Sequence, residues 1–124
     1  LLHKEFEMAG NSQIAFAPLG NTVVVAATTS APTGIQAPVY EKFEPQNAGQ
    51  FRFINAGATN VFLGTGGTAA EATANAVAPV AGTPSAAIVL LPGAVEILRF
   101  NQTTFFSGLS SAAATVYITP GQGL

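Results

Sequence analysis

The 124-residue sequence predicts an all-β chain: an antiparallel β-sandwich of about eight short strands with one short helix. Three observations carry this. Short runs rich in Val, Ile, Phe and Thr recur along the chain, and residues of this type suit a pleated, half-buried surface. Turn signals built from Gly, Pro and Asn separate the runs at roughly 8–12-residue spacing, the signature of a sandwich or barrel. Only one stretch has helical character, so no helices of the roughly 10–15 residues needed for a parallel α/β fold alternate with the strands. Within this class a jelly-roll-like arrangement is the first expectation, and an immunoglobulin-like or other Greek-key sandwich the second.

Residues 1–12 form a separate N-terminal arm or leading strand, and residues 13–124 the single sandwich domain. The arm mixes Leu1, Leu2, Phe6 and Met8 with His3, Lys4, Glu5 and Glu7, and Gly10-Asn11 ends any helix early. It is too short to build a core of its own, and its apolar side chains favour docking on a partner surface. A short run at 13–17 stops at Pro18. After the Leu19-Gly20-Asn21 turn comes TVVVAAT at 22–28. Its three consecutive valines predict a strand buried on both faces or lying at a subunit contact. TSAPTG is a loop by composition. The run from Ile35 carries Pro38, which places it at an edge or bend. Glu41, Lys42 and Glu44 form a charged, solvated loop.

The clearest local pattern is QFRFIN at 50–55. Phe51 and Phe53 share one face, and Arg52 and Ile54 the other. AGAT then turns the chain into NVFLG, which predicts a hairpin flanked by Asn55 and Asn60. The glycines of GTGG at 64–67 lack the Lys-Ser/Thr ending of a phosphate loop. TAAEATANAVA is the helix. Thr68 and Glu71 have capping-box spacing, the alanines have the highest helix propensity, and Pro79 bounds it. At about two turns it is too short to stand alone and is expected across the end of a sheet. AAIVLL at 86–91, a type II turn at Pro92-Gly93 and AVEILRF at 94–100 follow. TTFFSG at 103–108 and AATVYIT at 113–119 complete the strands, and PGQG at 120–123 is expected to end the pairing. Phe51, Phe53, Phe62 and Phe100 are core candidates. Phe105 and Phe106 are adjacent in a strand, so one of them faces away from the core, under a loop or into a subunit contact.

Composition excludes most catalytic chemistry. Only 8% of residues are charged, against about 25% in a typical soluble domain. All six acids are Glu, Cys is absent, and His3 is the single histidine. Thiolate and His-rich metal sites, a cysteine nucleophile, a Ser-His-Asp triad and Asp-based metal loops therefore lack their side chains. Four basic residues at net charge −2 make no phosphate-neutralising stripe, so nucleic acid is not an expected partner. A mean hydropathy of +0.41 opposes disorder. The longest strongly apolar run is far short of the ~20 residues of a spanning helix, no secretory signal is visible, and no membrane partner is expected. No catalytic residue, cofactor or metal is expected, and the chain reads as a non-enzyme.

From Asn47 to Leu124 the phrases QFRFINAGATNVFLG, TAAEATANAV, LLPGAVEILRF, FFSGL and ATVYITPGQG stand in an order that resembles small virion proteins of tailed bacteriophages. It is similar to the head decoration or cement proteins that bind over capsid-subunit junctions. The resemblance implies a jelly-roll-type fold, a place on the outer capsid surface of the virion, and the major capsid protein as partner. The function expected is structural: bridging capsid subunits and stabilising the head. The alternatives are a carbohydrate- or receptor-binding module, or a minor head or tail component. A charge-poor surface suits burial in an assembly, so self-association as a dimer or trimer is also expected. The interface candidates are Leu1, Leu2, Phe6, Met8, Val23, Val25, Phe105 and Phe106.

Overall fold

The computed structural model describes residues 15–38 and 49–123. In chain order the elements are β1 (Ala17–Pro18), β2 (Val23–Ala27), β3 (Ile35–Gln36), β4 (Gln50–Asn55), β5 (Val61–Gly66), α1 (Ala69–Asn75), β6 (Ile88–Leu90), β7 (Val95–Arg99), β8 (Phe105–Ser110) and β9 (Ala114–Gln122). They form two antiparallel sheets packed face to face, as the sequence predicts. In the first sheet β9 is central: β4 pairs along one side of it, with β7 beyond, and β1 and β2 pair in turn along the other side. The second sheet has the order β3-β8-β5-β6.

The pairing is nested. β2 pairs with β9, β3 with β8, β4 with β7 and β5 with β6, all antiparallel. A chain doubled into one long hairpin and then wound up has these partners. The β4–β9 and β5–β8 pairings join the windings into sheets.

This topology corrects the expected hairpin at 50–64. β4 and β5 are not paired; they lie in opposite sheets, and residues 56–60 cross from one to the other. Phe51 and Phe53 point into the core from one side, Val61 and Leu63 from the other, and all four are fully buried. The Pro92-Gly93 turn forms as expected, with Ala94 N donating to Leu91 O at 2.9 Å and Gly93 at φ +78°. It too passes between sheets.

The core is a contact of opposed inner faces. Val25, Phe51, Phe53, Val116 and Ile118 meet Val61, Leu63, Leu90 and Phe106. Phe106 is the aromatic bridge. Its ring lies 5.1 Å from Phe51, 5.4 Å from Phe53 and 5.6 Å from Phe100, all edge-on. Such geometry satisfies the ring quadrupoles. Phe62 departs from expectation: its neighbours Val61 and Leu63 take the inward phase, and Phe62 is half-buried on the outer face. The valine run is likewise not buried on both faces. Val25 is 2% exposed while Val24 is 49% exposed, so ordinary alternation holds.

The capping box of α1 forms with a one-residue shift. Thr68 Oγ1 accepts from Glu71 N at 3.1 Å, and Glu71 Oε1 accepts from Gly67 N at 2.8 Å. The helix does not cross the end of a sheet; it lies on the outer face of the second sheet. Gly64 and Gly66 of β5 make this possible, because a Cβ on either would collide with α1 at Ala72 or Glu71. Pro32 O ties the layers together, accepting from Thr73 Oγ1 at 2.8 Å and Ser107 Oγ at 2.6 Å.

Pairing also does not end at Pro120. β9 runs on to Gln122, with Pro120 opposite Phe51 and Gly121 opposite both Gln50 and Pro18. In an antiparallel strand a residue's N and C=O point to the same side. The Pro120 carbonyl accepts from Leu19 N at 2.9 Å, so its missing N–H also lies on that side, facing Leu19 just past the end of β1. The bonds between β9 and β4 on the other side do not need it.

Candidate interaction faces

The interface residues chosen from sequence divide three ways. Leu1, Leu2, Phe6 and Met8 lie outside the described residues, as do His3, Glu5, Glu7, Glu41 and Glu44. Val25 and Phe106 are core residues at 2% and 0% exposure and do not reach a partner. Burying them between the sheets removes more apolar area from water than any surface contact offers. Val23 is half-buried against the core, and Phe105 is half-buried on the outer face, so one member of the Phe pair does point outward.

The apolar surface lies elsewhere, in two rows set by strand register. On the outer face of the first sheet Val24 sits opposite Tyr117, Tyr117 opposite Ile54, and Ile54 opposite Val95. Val24, Tyr117 and Val95 are 49%, 40% and 57% exposed. Adjacent to this row Arg52 faces Thr119 on one side and Ile97 on the other. The guanidinium lies 5.4 Å from the centre of the Phe16 ring, a cation–π distance, and its Nε is buried without a hydrogen-bond partner.

The outer face of the second sheet carries the other row: Val89 opposite Phe62, and Phe62 opposite Leu109. Phe62 and Leu109 line a shallow open depression of about 300 Å³ with Thr29, Ala78, Ser110 and Ser111. Val77, Val80 and Leu91 extend exposed apolar surface around the same end of the molecule. The depression offers no carboxylate, imidazole or thiol. Its Ser110 hydroxyl is engaged with Asn60 O and the Thr59 hydroxyl.

These rows follow from alternation once its phase is known. Val95 is ambiguous in the sequence, because Arg99 marks its face as outward while Glu96 marks the opposite face. The others were hidden by uniformly apolar runs such as VVVAA, where composition does not reveal which residues point inward.

The remaining chemistry is sparse. Glu71 caps α1, and Glu96 is exposed on β7 at the edge of the first sheet. Among the described residues no three His, Cys, Asp or Glu side chains converge as a metal site. Among them, too, no helix is long and apolar enough to cross a membrane. The loops at 29–34, 81–85 and 101–103 hold no aromatic residue to serve as a sugar platform. Comparison of the chain with protein-family models, curated proteins and solved structures finds no match.

Proposed function

We propose that this chain is a non-enzymatic structural protein of a phage virion, bound to the outer capsid surface and stabilising the head. The observation that carries the reading is the pair of exposed apolar rows on opposite outer faces of the sandwich, Val24–Tyr117–Ile54–Val95 and Val89–Phe62–Leu109. One such face fits a single contact. Two on opposite sides fit a body held between partners, which is the geometry of bridging. The sparse charge agrees, because little electrostatic repulsion opposes burial of the surface. The nested strand order is compatible with a jelly roll, the fold that the resemblance of residues 47–124 to decoration and cement proteins implies.

The mechanism is mass action. A protein that binds the closed shell and not the opened one shifts opening to harsher conditions, by an amount that grows with the logarithm of its concentration over its dissociation constant. The major capsid protein is the proposed partner, with a second copy of this chain as another. The test compares heads with and without the protein by calorimetry. Bound protein is expected to raise the opening temperature, and charging the second-sheet row with Val89→Lys is expected to abolish the increase. Equal opening temperatures with and without the protein overturn the proposal.

A further inference from the structure

The outer face of the first sheet is a surface with an identifiable occupant. Its row of Val24, Tyr117, Ile54 and Val95 spans four paired strands, about 14 Å at ~4.8 Å per strand spacing. Beside the row stands Arg52, whose buried Nε has no hydrogen-bond partner, and two residues further along the same face lies Arg99 at the exposed end of β7. The face therefore presents apolar ground next to positive charge. Residues 1–14 combine Leu1, Leu2, Phe6, Met8 and Ile14 with two carboxylates, Glu5 and Glu7, against one lysine, Lys4, an excess of negative charge on an apolar segment.

Where that segment joins the fold decides which copy it serves. Ala17 pairs with Gln122, and Ala15 lies beside Gly123. Followed backward from Ala17, the chain thus runs toward the C-terminal end of β9. Tyr117 lies the other way, five residues up the strand from Gln122. At Ala15 the described chain is heading off the end of its own sheet, away from its own apolar row. Fourteen residues extend up to about 46–50 Å, enough to leave one sandwich and cross the row of the next.

We infer that the outer face of the first sheet receives residues 1–14 of a second copy of this chain, with Glu5 and Glu7 set against Arg52 and Arg99. The inference rests on the register of the sheet and the direction of the chain at Ala17, not on the capsid reading, and the two fail separately. The full chain contains no cysteine, which makes the test direct. The double variant Leu2→Cys with Val95→Cys, mildly oxidised, is expected to shift from monomer to covalently linked copies on a non-reducing gel. Leu2→Cys with Val80→Cys, which puts the second thiol on an exposed residue outside this row, is expected to link no more than Leu2→Cys alone. A link closed within one chain, equal linking in both double variants, or no linking in either overturns the inference. Sedimentation supplies the second reading without cysteines. Wild type is expected to self-associate, and Val24→Lys/Val95→Lys to sediment as a folded monomer. Equal sedimentation of the two overturns it.

Discussion

Asn55 shows how a single side chain closes the sandwich. It is fully buried at the end of β4, where the chain leaves one sheet for the other. Its Nδ2 donates to Thr59 O and Leu90 O, both at 2.9 Å, and its Oδ1 accepts from Gly57 N at 2.9 Å. It thus ties the crossing loop to β6 of the opposite sheet. Asn55→Ala is expected to cost roughly 3 kcal/mol, because each stranded buried polar group costs about 1–3 kcal/mol. Asn55→Asp is expected to cost more at neutral pH, since a carboxylate would face two carbonyl oxygens with no proton to give. Urea denaturation midpoints check both. The sequence pointed to Asn55 as a residue that bonds turn groups, because a short polar side chain beside a Gly-containing turn has that chemistry. It did not point to the bond to Leu90, whose position depends on the second sheet. The same limit hid the inward phase of Val25 and the outward phase of Phe62.

At the scale of elements, strand positions were legible and strand partners were not. QFRFIN is β4, and Thr68 with Glu71 does start α1. The hairpin between β4 and β5 failed because a turn signal reports only that the chain reverses. Whether it reverses within a sheet or between two is set by partners far along the sequence, here β7 and β9 against β6 and β8. Pro120 failed as a stop signal for a related reason: its missing N–H faces away from β4, so the β4–β9 ladder runs on past it. The helix offers a sharper test of packing. Thr68→Ala removes a cap bond and is expected to cost about 1 kcal/mol. Gly64→Ala drives a methyl group into the Ala72 carbonyl and Ala76, so α1 must lift off β5. A cost of about 1–3 kcal/mol is expected, typical of overpacking. Amide exchange is expected to accelerate in residues 69–75 while β4 and β9 keep their protection.

For the whole molecule, nesting makes the last strand the keystone of the first sheet. β9 is the only described partner of β1 and β2, and it is one of two partners of β4. It also brings Val116 and Ile118, both fully buried, into the core. Contacts so distant in sequence close late and slowly, which places folding in the ms–s range or slower. The two ends of the chain should therefore differ sharply in what their removal does. Without residues 1–10 the sandwich keeps every described strand, so the unfolding transition of the isolated domain is expected to stay nearly unchanged while assembly weakens. Without residues 112–124, β1 and β2 have no described partner and β4 loses a full side of its ladder. The truncated chain is expected to lose its cooperative thermal transition and its near-ultraviolet Phe signals. A synthetic peptide of residues 112–124 is expected to restore them by adding the missing strand, because main-chain pairing supplies affinity and the alternate side chains refill their places in the core. A truncated chain that still melts cooperatively near the full-length temperature would show that the first sheet does not depend on β9.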